Sequence, residues 1–200
     1  SETLAPAYAA PKLRNTLAVL PFRLIWFALV QLLIATLLTL SGTPAAWQAS
    51  SAWWLVVAAL VNLLTIALLW WLFQKEGLAY TGLFRFQRQS VKKDLLLLLG
   101  FLVAATPVFY LPNIWSAQWL FGSMTAANKL LIQPLPLWAA WLALLLFPVS
   151  IVFAEIPFYF GYIMPHLKTA GVKAWLAVLL PAIFLGAQHS TLPLILNGRF

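Results

Sequence analysis

The sequence predicts an all-α, polytopic integral membrane protein, a bundle of about five transmembrane helices. Of its 200 residues, 64% are hydrophobic and only 8% are charged. The hydrophobic residues fall in several separate runs, each close to the length that crosses a hydrocarbon core about 30 Å thick. A soluble domain with so few charged residues could not keep so much apolar surface out of water. We therefore expect one membrane-embedded α-helical domain over residues 1–200.

Net charge and cysteine content narrow the classes of partner and site. The formal net charge of +8 would suggest nucleic acid as the partner of a soluble protein. Here the basic residues lie in short polar stretches between apolar runs, which is typical of membrane topology, so lipid is the expected partner and nucleic acid is not. The absence of cysteine excludes disulfides and thiolate metal sites and leaves histidine and carboxylate as metal ligands.

Five apolar segments are predicted to cross the membrane. They cover roughly Pro21–Leu40, Trp53–Phe73, Leu95–Leu111, Leu137–Met164 and Ala174–Leu196. Since the last of them runs almost to the end of the sequence, further helices of a longer protein are an open expectation.

The segments between the predicted helices have their own expected roles. Residues 74–93 mix basic and aromatic side chains and are expected to lie flat in the headgroup region. Asp94 is predicted to be the N-cap of the third helix, and Pro107 is predicted to bend it. Residues 113–136 are expected to form a loop with a short interfacial helix.

Lysine and arginine indicate the orientation, because they accumulate in short cytoplasmic loops. Ten of the twelve fall on one predicted side, and only Lys129 and Arg199 fall on the other. The ten are Lys12, Arg14, the boundary residue Arg23, Lys75, Arg85, Arg88, Lys92, Lys93, Lys168 and Lys173. The N-terminus is therefore expected in the cytoplasm, and the expected location is the inner membrane of a bacterial cell.

Glu155 is the main candidate for chemistry. The other acidic residues, Glu2, Glu76 and Asp94, lie in polar stretches where water is expected to solvate them. Glu155 lies within the fourth helix, about 15 Å of helix from Pro165. Since a carboxylate at that depth costs a few kcal/mol on insertion scales, it needs an internal partner or a water-filled cavity.

A polar stripe is predicted along the fourth helix. Glu155, Tyr159, Tyr162 and His166 project within about 60° of one another at 100° per residue. The two tyrosines are candidates for lining a cavity or binding substrate, and the alternative is that they only pack. His166 lies in a basic turn and is expected to be solvated.

The fifth helix adds two polar residues, Gln188 and His189, to an apolar segment. His189 is expected within about 4 to 8 Å of Glu155, with Gln188 lining the same cavity. The alternative is a hydrogen-bonded pair that only fixes helix packing. Gln31 and Asn62, the polar residues inside the first two helices, are expected to form interhelical hydrogen bonds.

The residues from Glu155 to Tyr162 resemble the first motif of the CPBP family, the intramembrane proteases related to type II CAAX prenyl endopeptidases and Abi proteins. That motif is two glutamates, three variable residues, then arginine and glycine. Glu155 matches the first glutamate and Gly161 the glycine, whereas Ile156 and Phe160 stand in place of the second glutamate and the arginine.

A second motif of that family, an aromatic residue four positions before a histidine, is similar to Leu185 to His189 with leucine in the aromatic position. A third motif, histidine followed four residues later by asparagine or aspartate, would lie on a later helix. The resemblance covers about residues 137–193.

The resemblance implies an intramembrane endopeptidase in which glutamate-activated water attacks a peptide carbonyl. It makes Glu155 the general base and His189 an oxyanion donor, or both of them ligands of a divalent metal such as zinc. Its substrate would be a peptide or membrane protein, prenylated or not, cleaved near the cytoplasmic side. The alternatives are a non-catalytic protein of the same fold, such as an immunity or assembly factor, and a small proton-coupled transporter.

Overall fold

The computed structural model describes residues 13–84, 89–131 and 134–197, and within them the secondary structure is helical, without a strand. The predicted all-α membrane fold is confirmed. The α-helices are α1 (Leu13–Val19), α2 (Phe22–Leu40), α3 (Ala46–Ser50), α4 (Trp54–Lys75), α5 (Val91–Phe121), α6 (Met124–Leu131), α7 (Leu137–Ile156), α8 (Met164–Thr169) and α9 (Ala174–Asn197). Short 3₁₀ helices span Ser51–Trp53 and Tyr80–Leu83, and a π-helix, here the π turn, spans Pro157–Ile163.

Four helical stretches in the described ranges are long and apolar enough to cross a membrane. They are Leu13–Leu40, Ala46–Lys75, Val91–Phe121 and Leu137–Thr169, and the apolar stretch Ala174–His189 is shorter. Large apolar side chains are exposed along these stretches, among them Leu33, Leu37, Leu63, Leu144, Val152 and Ile183. Such surfaces are suited to lipid. The fifth crossing, by α9, stays a prediction.

The chain forms two compact units, one made of the described parts of residues 1–83 and 134–200 and the other of residues 84–133. In the first unit α4 packs along α7 and α2, and α9 packs against α2, α8 and the π turn. The main core of this unit is apolar and aromatic, and its buried side chains include Leu69, Phe73, Phe158, Tyr159, Ile163, Leu167 and Ala177.

The first helical stretch begins earlier than predicted. Only Leu20 and Pro21 separate α1 from α2. The backbone N–H of Leu20 donates to Thr16 O and that of Ile25 donates to Pro21 O, so helical hydrogen bonding is present on both sides of this junction. Proline is tolerated at this position because the first residues of a helix have no intrahelical acceptor for their N–H groups. As a result, Arg23 lies about 15 Å of helix inside the stretch that starts at Leu13.

The fourth stretch contains the π turn. Met164 donates its backbone N–H to Tyr159 O, five residues earlier, so more residues wind into each turn than in an α-helix. Pro157 opens the segment and has no N–H to donate. The stretch ends at Thr169, beyond the predicted Met164, where Gly171 adopts φ +84° and the N–H of Val172 donates to Leu167 O at 3.0 Å.

The helices of the second unit differ from the predicted ones in three ways. α5 runs through Pro107 and Pro112 to Phe121, so the predicted end at Leu111 is wrong, and most of the predicted loop is helical in α5 and α6. Proline does not end a membrane helix in the way it ends a soluble one. Asp94 is not the N-cap, because the helix begins at Val91 after Ser90, whose hydroxyl donates to Asp94.

The predicted interfacial segment is described only in part. Residues 85–88, which include the basic Arg85 and Arg88, lie outside the described residues. Before them, Tyr80–Leu83 form a 3₁₀ helix, and Leu83 contacts Gly161 so closely that an added Cβ there would be 3.1 Å from Leu83 Cδ1.

Both predicted interhelical hydrogen bonds are confirmed. Gln31 on α2 donates from Nε2 to Ser50 Oγ on α3 at 2.6 Å, and Asn62 on α4 donates from Nδ2 to Ser150 Oγ on α7 at 3.1 Å. All four side chains are buried, so these contacts fix the helices where lipid offers no alternative partner.

Candidate functional site

Arg23 is the centre of a buried polar network in the first unit. Its side chain is 1% exposed, and its three guanidinium nitrogens each donate to a different residue. Nη2 is 3.2 Å from Glu155 Oε2, Nε is 2.9 Å from Gln188 Oε1, and Nη1 is 3.1 Å from Thr65 Oγ1. The prediction that Arg23 is a boundary residue of the first helix is therefore wrong, because α1 and α2 form one helical stretch that starts at Leu13.

Gln188 connects the other members of this network. Its Nε2 donates to Glu155 Oε2 at 2.6 Å, and its Oε1 accepts from Arg23 and also from the Tyr159 hydroxyl at 3.1 Å. The amide thus has its nitrogen towards the carboxylate and its oxygen towards the cation and the phenol. We call Arg23, Thr65, Glu155, Tyr159 and Gln188 the Arg23 network.

Each member of the Arg23 network is held by its own helix. Thr65 donates to Val61 O on α4 at 2.7 Å, which leaves its oxygen free to accept from Arg23. The guanidinium carbon of Arg23 is also 5.7 Å from the centre of the Phe27 ring, one turn along α2. Glu155 lies near the end of α7 and Tyr159 lies on the π turn, so four helices and the turn meet at one ion pair.

His189 lies at the edge of the network. Its Nε2 is 4.0 Å from Glu155 Oε2, and its side chain is 63% exposed, compared with 13% for Glu155. Its Nδ1 is 2.7 Å from the backbone oxygen of Leu185, so that nitrogen carries a hydrogen and Nε2 faces the carboxylate. The structure thus brings together Glu155, Tyr159, Gln188 and His189, with His189 on the exposed side.

Tyr162, the remaining candidate, belongs to a second cluster. Its hydroxyl donates to Glu76 Oε1 at 2.6 Å, and His166 Nε2 is 2.8 Å and 2.9 Å from the two oxygens of the same carboxylate. We call Glu76, Tyr162 and His166 the end cluster. His166 is fully buried and Glu76 is 16% exposed, so the predictions that water solvates both are wrong.

The predicted polar stripe is divided between the two clusters. On a regular α-helix Tyr159 and Tyr162 would share the face of Glu155, but the π turn winds more residues per turn and shifts the helical phase of the residues after it. Tyr159 consequently contacts Gln188, whereas Tyr162 contacts Glu76 at the C-terminal end of α4.

The donor set does not fit a divalent metal at Glu155 and His189. Among the described residues no group of three or more histidine, cysteine, aspartate or glutamate side chains could hold a metal ion. Glu155 Oε2 already accepts hydrogen bonds from Arg23 and Gln188, and the adjacent guanidinium would repel a metal cation.

The network leaves one carboxylate oxygen available. In the described part of the chain, every hydrogen bond that Glu155 accepts ends on Oε2. Oε1 can therefore accept from a water molecule while Arg23 and Gln188 keep the carboxylate in place. A carboxylate fixed in this way beside an imidazole is an arrangement suited to orienting and deprotonating water.

Sequence reasoning missed Arg23, Thr65 and Glu76. The apolar residues before Pro21 were the signal for Arg23, because they extend the first helix far enough to bury it. Glu76 gave no such signal, since its neighbours in the sequence are polar.

Comparison of the chain with family models, with curated proteins and with solved structures finds no match.

Proposed function

We propose that this chain is an intramembrane endopeptidase of the CPBP type. The observation that carries the proposal is the 4.0 Å separation of Glu155 Oε2 and His189 Nε2. These two ionisable side chains come from neighbouring membrane helices and stand at matching positions in the two motifs that the sequence resembles. Intramembrane ionisable groups are expensive and are typical of functional sites.

The proposed reaction is hydrolysis of a peptide bond. Glu155 takes a proton from water, and the water oxygen attacks the peptide carbonyl carbon, so that negative charge develops on the carbonyl oxygen. The proton then moves to the leaving nitrogen, the C–N bond breaks, and a carboxylic acid and an amine are released, which exchange one proton to give a carboxylate and an ammonium. Atoms and charges balance without another reactant.

His189 would stabilise the oxyanion through Nε2. Its Nδ1 hydrogen is already directed at Leu185 O, so a hydrogen on Nε2 means that the ring is an imidazolium.

Arg23 acts as a positioning residue in this proposal. The family motif that the sequence resembles has an arginine where this chain has Phe160. In this chain the guanidinium that contacts Glu155 belongs to Arg23 on α2. Together with Gln188 it holds one carboxylate oxygen, which fixes the direction of the other towards a water.

Reconstitution in lipid vesicles tests the proposal. Purified protein would be incubated with a mixture of membrane-spanning peptides, with and without prenyl groups, in ¹⁸O-labelled water, and products would be identified by mass spectrometry. We expect new carboxyl termini that carry ¹⁸O, and Glu155→Gln or His189→Ala to lower the rate about a hundredfold or more. Asp94→Asn, which removes an exposed carboxylate elsewhere, is the matched control and should cleave like wild type.

A non-catalytic membrane protein of the same fold is the second candidate. The observation that favours it is the exposure of His189, together with the occupation of Glu155 Oε2 by Arg23 and Gln188. In that case the pair would fix helix packing only. Absence of any ¹⁸O-labelled product from the folded wild-type protein would favour this candidate over the endopeptidase.

We also propose that the N-terminus faces the cytoplasm of a bacterial cell. Support comes from the end of the first unit where α1 packs against α8 and Glu76 contacts His166, since basic residues flank these elements. The chain has no cysteine, so single cysteines report cleanly. A membrane-impermeant reagent applied outside should label a cysteine at Trp47 and not one at Lys168, and the reverse result would invert the orientation.

A further inference from the structure

Both ring nitrogens of His166 face hydrogen-bond acceptors. Nδ1 is 2.7 Å from the backbone oxygen of Tyr162, and Nε2 is 2.8 Å and 2.9 Å from the carboxylate oxygens of Glu76. A carbonyl oxygen can only accept, so Nδ1 carries a hydrogen, and the contact between Nε2 and Glu76 needs one more proton, which lies on Nε2 when Glu76 is ionised. We infer that the end cluster is a proton-binding site, in which a doubly protonated His166 holds Glu76 and anchors the π turn.

Because His166 is buried, loss of its ring proton would destabilise the end cluster. The His166 side chain is fully buried, and the Glu76 carboxylate also accepts from the Tyr162 hydroxyl. With donors from the ring and from the phenol on its two oxygens, Glu76 matches an acceptor-only carboxylate. Removing the ring proton would leave a nitrogen lone pair directed at a carboxylate or at a carbonyl oxygen, with little water to relieve the repulsion.

Other charged groups lie on the elements packed around His166. Arg14 is on α1, Lys168 is on α8 itself, and Lys173 precedes α9, and all three side chains are exposed. His189 on α9 and Tyr159 on the π turn belong to the candidate active site around Glu155. Glu76 at the end of α4 is thus the carboxylate that faces the ring in the described part of the chain.

The end cluster connects α4 to the segment that shapes the candidate active site. Tyr162 and His166 lie on the π turn and α8, whereas Glu76 comes directly after α4. The π turn also carries Tyr159, which donates to Gln188 in the Arg23 network. Loss of the proton therefore releases the π turn from α4, and proton uptake restores the contact.

Nuclear magnetic resonance can observe the proton directly, because the chain has only two histidines. His189→Gln leaves His166 as the single ¹⁵N-labelled histidine in micelle-solubilised protein. In the folded protein we expect both ring nitrogens to be protonated, because each of them faces an acceptor. A neutral ring with one bare nitrogen in the folded protein would overturn the inference. His166→Gln, which leaves only the exposed His189, is the matched control for the ordinary spectrum.

A variant and a wild-type measurement complete the test. Adding Glu76→Gln to the His189→Gln background should leave His166 singly protonated at about pH 7.5, and a ring that stays doubly protonated would show that Glu76 does not hold the proton.

In the wild-type protein, amide exchange of residues 157–163, corrected for its intrinsic pH dependence, should be about tenfold faster or more at about pH 9 than at about pH 6. Equal corrected rates would contradict the anchoring role.

Discussion

The Arg23 network and the end cluster use similar parts with different cations. Each has one carboxylate, one tyrosine and one buried cationic side chain. In the Arg23 network the cation is a guanidinium, which does not lose its proton in proteins, whereas in the end cluster it is an imidazole, which does so near neutral pH. Burial alone therefore does not decide whether an ion pair responds to pH, because the type of cation does.

The two clusters also differ in how many elements they join. The Arg23 network joins α2, α4, α7 and α9 with the π turn, so it holds most of the first unit together. The end cluster joins only the end of α4 to the π turn and α8. Breaking the first should therefore cost more stability than breaking the second.

The largest effect is expected from Arg23→Met. The substitution leaves the Glu155 carboxylate in the unit without its cation, and breaking a buried pair from one side costs about 3–5 kcal/mol. The measurement is reversible unfolding in mixed micelles. Arg23→Lys, which keeps a positive charge but not the three-way donation, should be intermediate.

The double variant Arg23→Met with Glu155→Leu separates charge from packing. Replacing both partners by apolar side chains should recover part of the loss, because no unpaired charge remains. If Arg23→Met alone is as stable as the wild-type protein, the ion pair does not hold the unit together.

The two tyrosines give a smaller comparison. Tyr162→Phe removes a hydrogen bond to a charged carboxylate and should cost about 1.5–3 kcal/mol, whereas Tyr159→Phe removes a bond to a neutral amide and should cost about 0.5–1.5 kcal/mol. In the vesicle assay both variants should retain more activity than Glu155→Gln. The ranking fails if Tyr159→Phe is the more destabilising of the two in the same unfolding measurement.

The last comparison concerns Tyr80, outside the membrane-spanning stretches. Burial raises its pKa to about 12, and its hydroxyl donates to the backbone oxygen of Phe153. Because the folded state keeps the phenol proton that the unfolded chain loses at about pH 10, stability should fall between about pH 10 and about pH 12. Tyr80→Phe should reduce this loss of stability at alkaline pH. Absorbance of tyrosinate follows the ionisation, and unfolding measurements follow the stability. An unchanged loss of stability in the variant would exclude Tyr80 as its source.

Polar residues within apolar helices were predictable from the sequence. Glu155, Gln188 and His189 interrupt long apolar runs, and Gln31 and Asn62 do the same, so their need for internal partners follows from the cost of burying them. The helices themselves follow from the same runs. These predictions depend on local composition only.

Other features were not predictable because they depend on tertiary contact or on the membrane environment. His166 and Glu76 lie in polar segments 90 residues apart, and nothing in their surroundings in the sequence indicates that the two ends meet in a buried position. The π turn also breaks the 3.6-residue periodicity that placed Tyr162 beside Glu155. The end of α5 was placed too early because proline is a weaker helix terminator in lipid than in water.

A double-mutant cycle between Glu155 and His189 in the ¹⁸O vesicle assay tests whether the two side chains act together in peptide hydrolysis. Asp94→Asn serves again as the control for expression and folding. If the two side chains act on one transition state, Glu155→Gln, His189→Ala and their combination should lower the cleavage rate by similar factors, each about a hundredfold or more. If both single variants remain folded and cleave like the wild-type protein, the hydrolytic role proposed for Glu155 and His189 is contradicted.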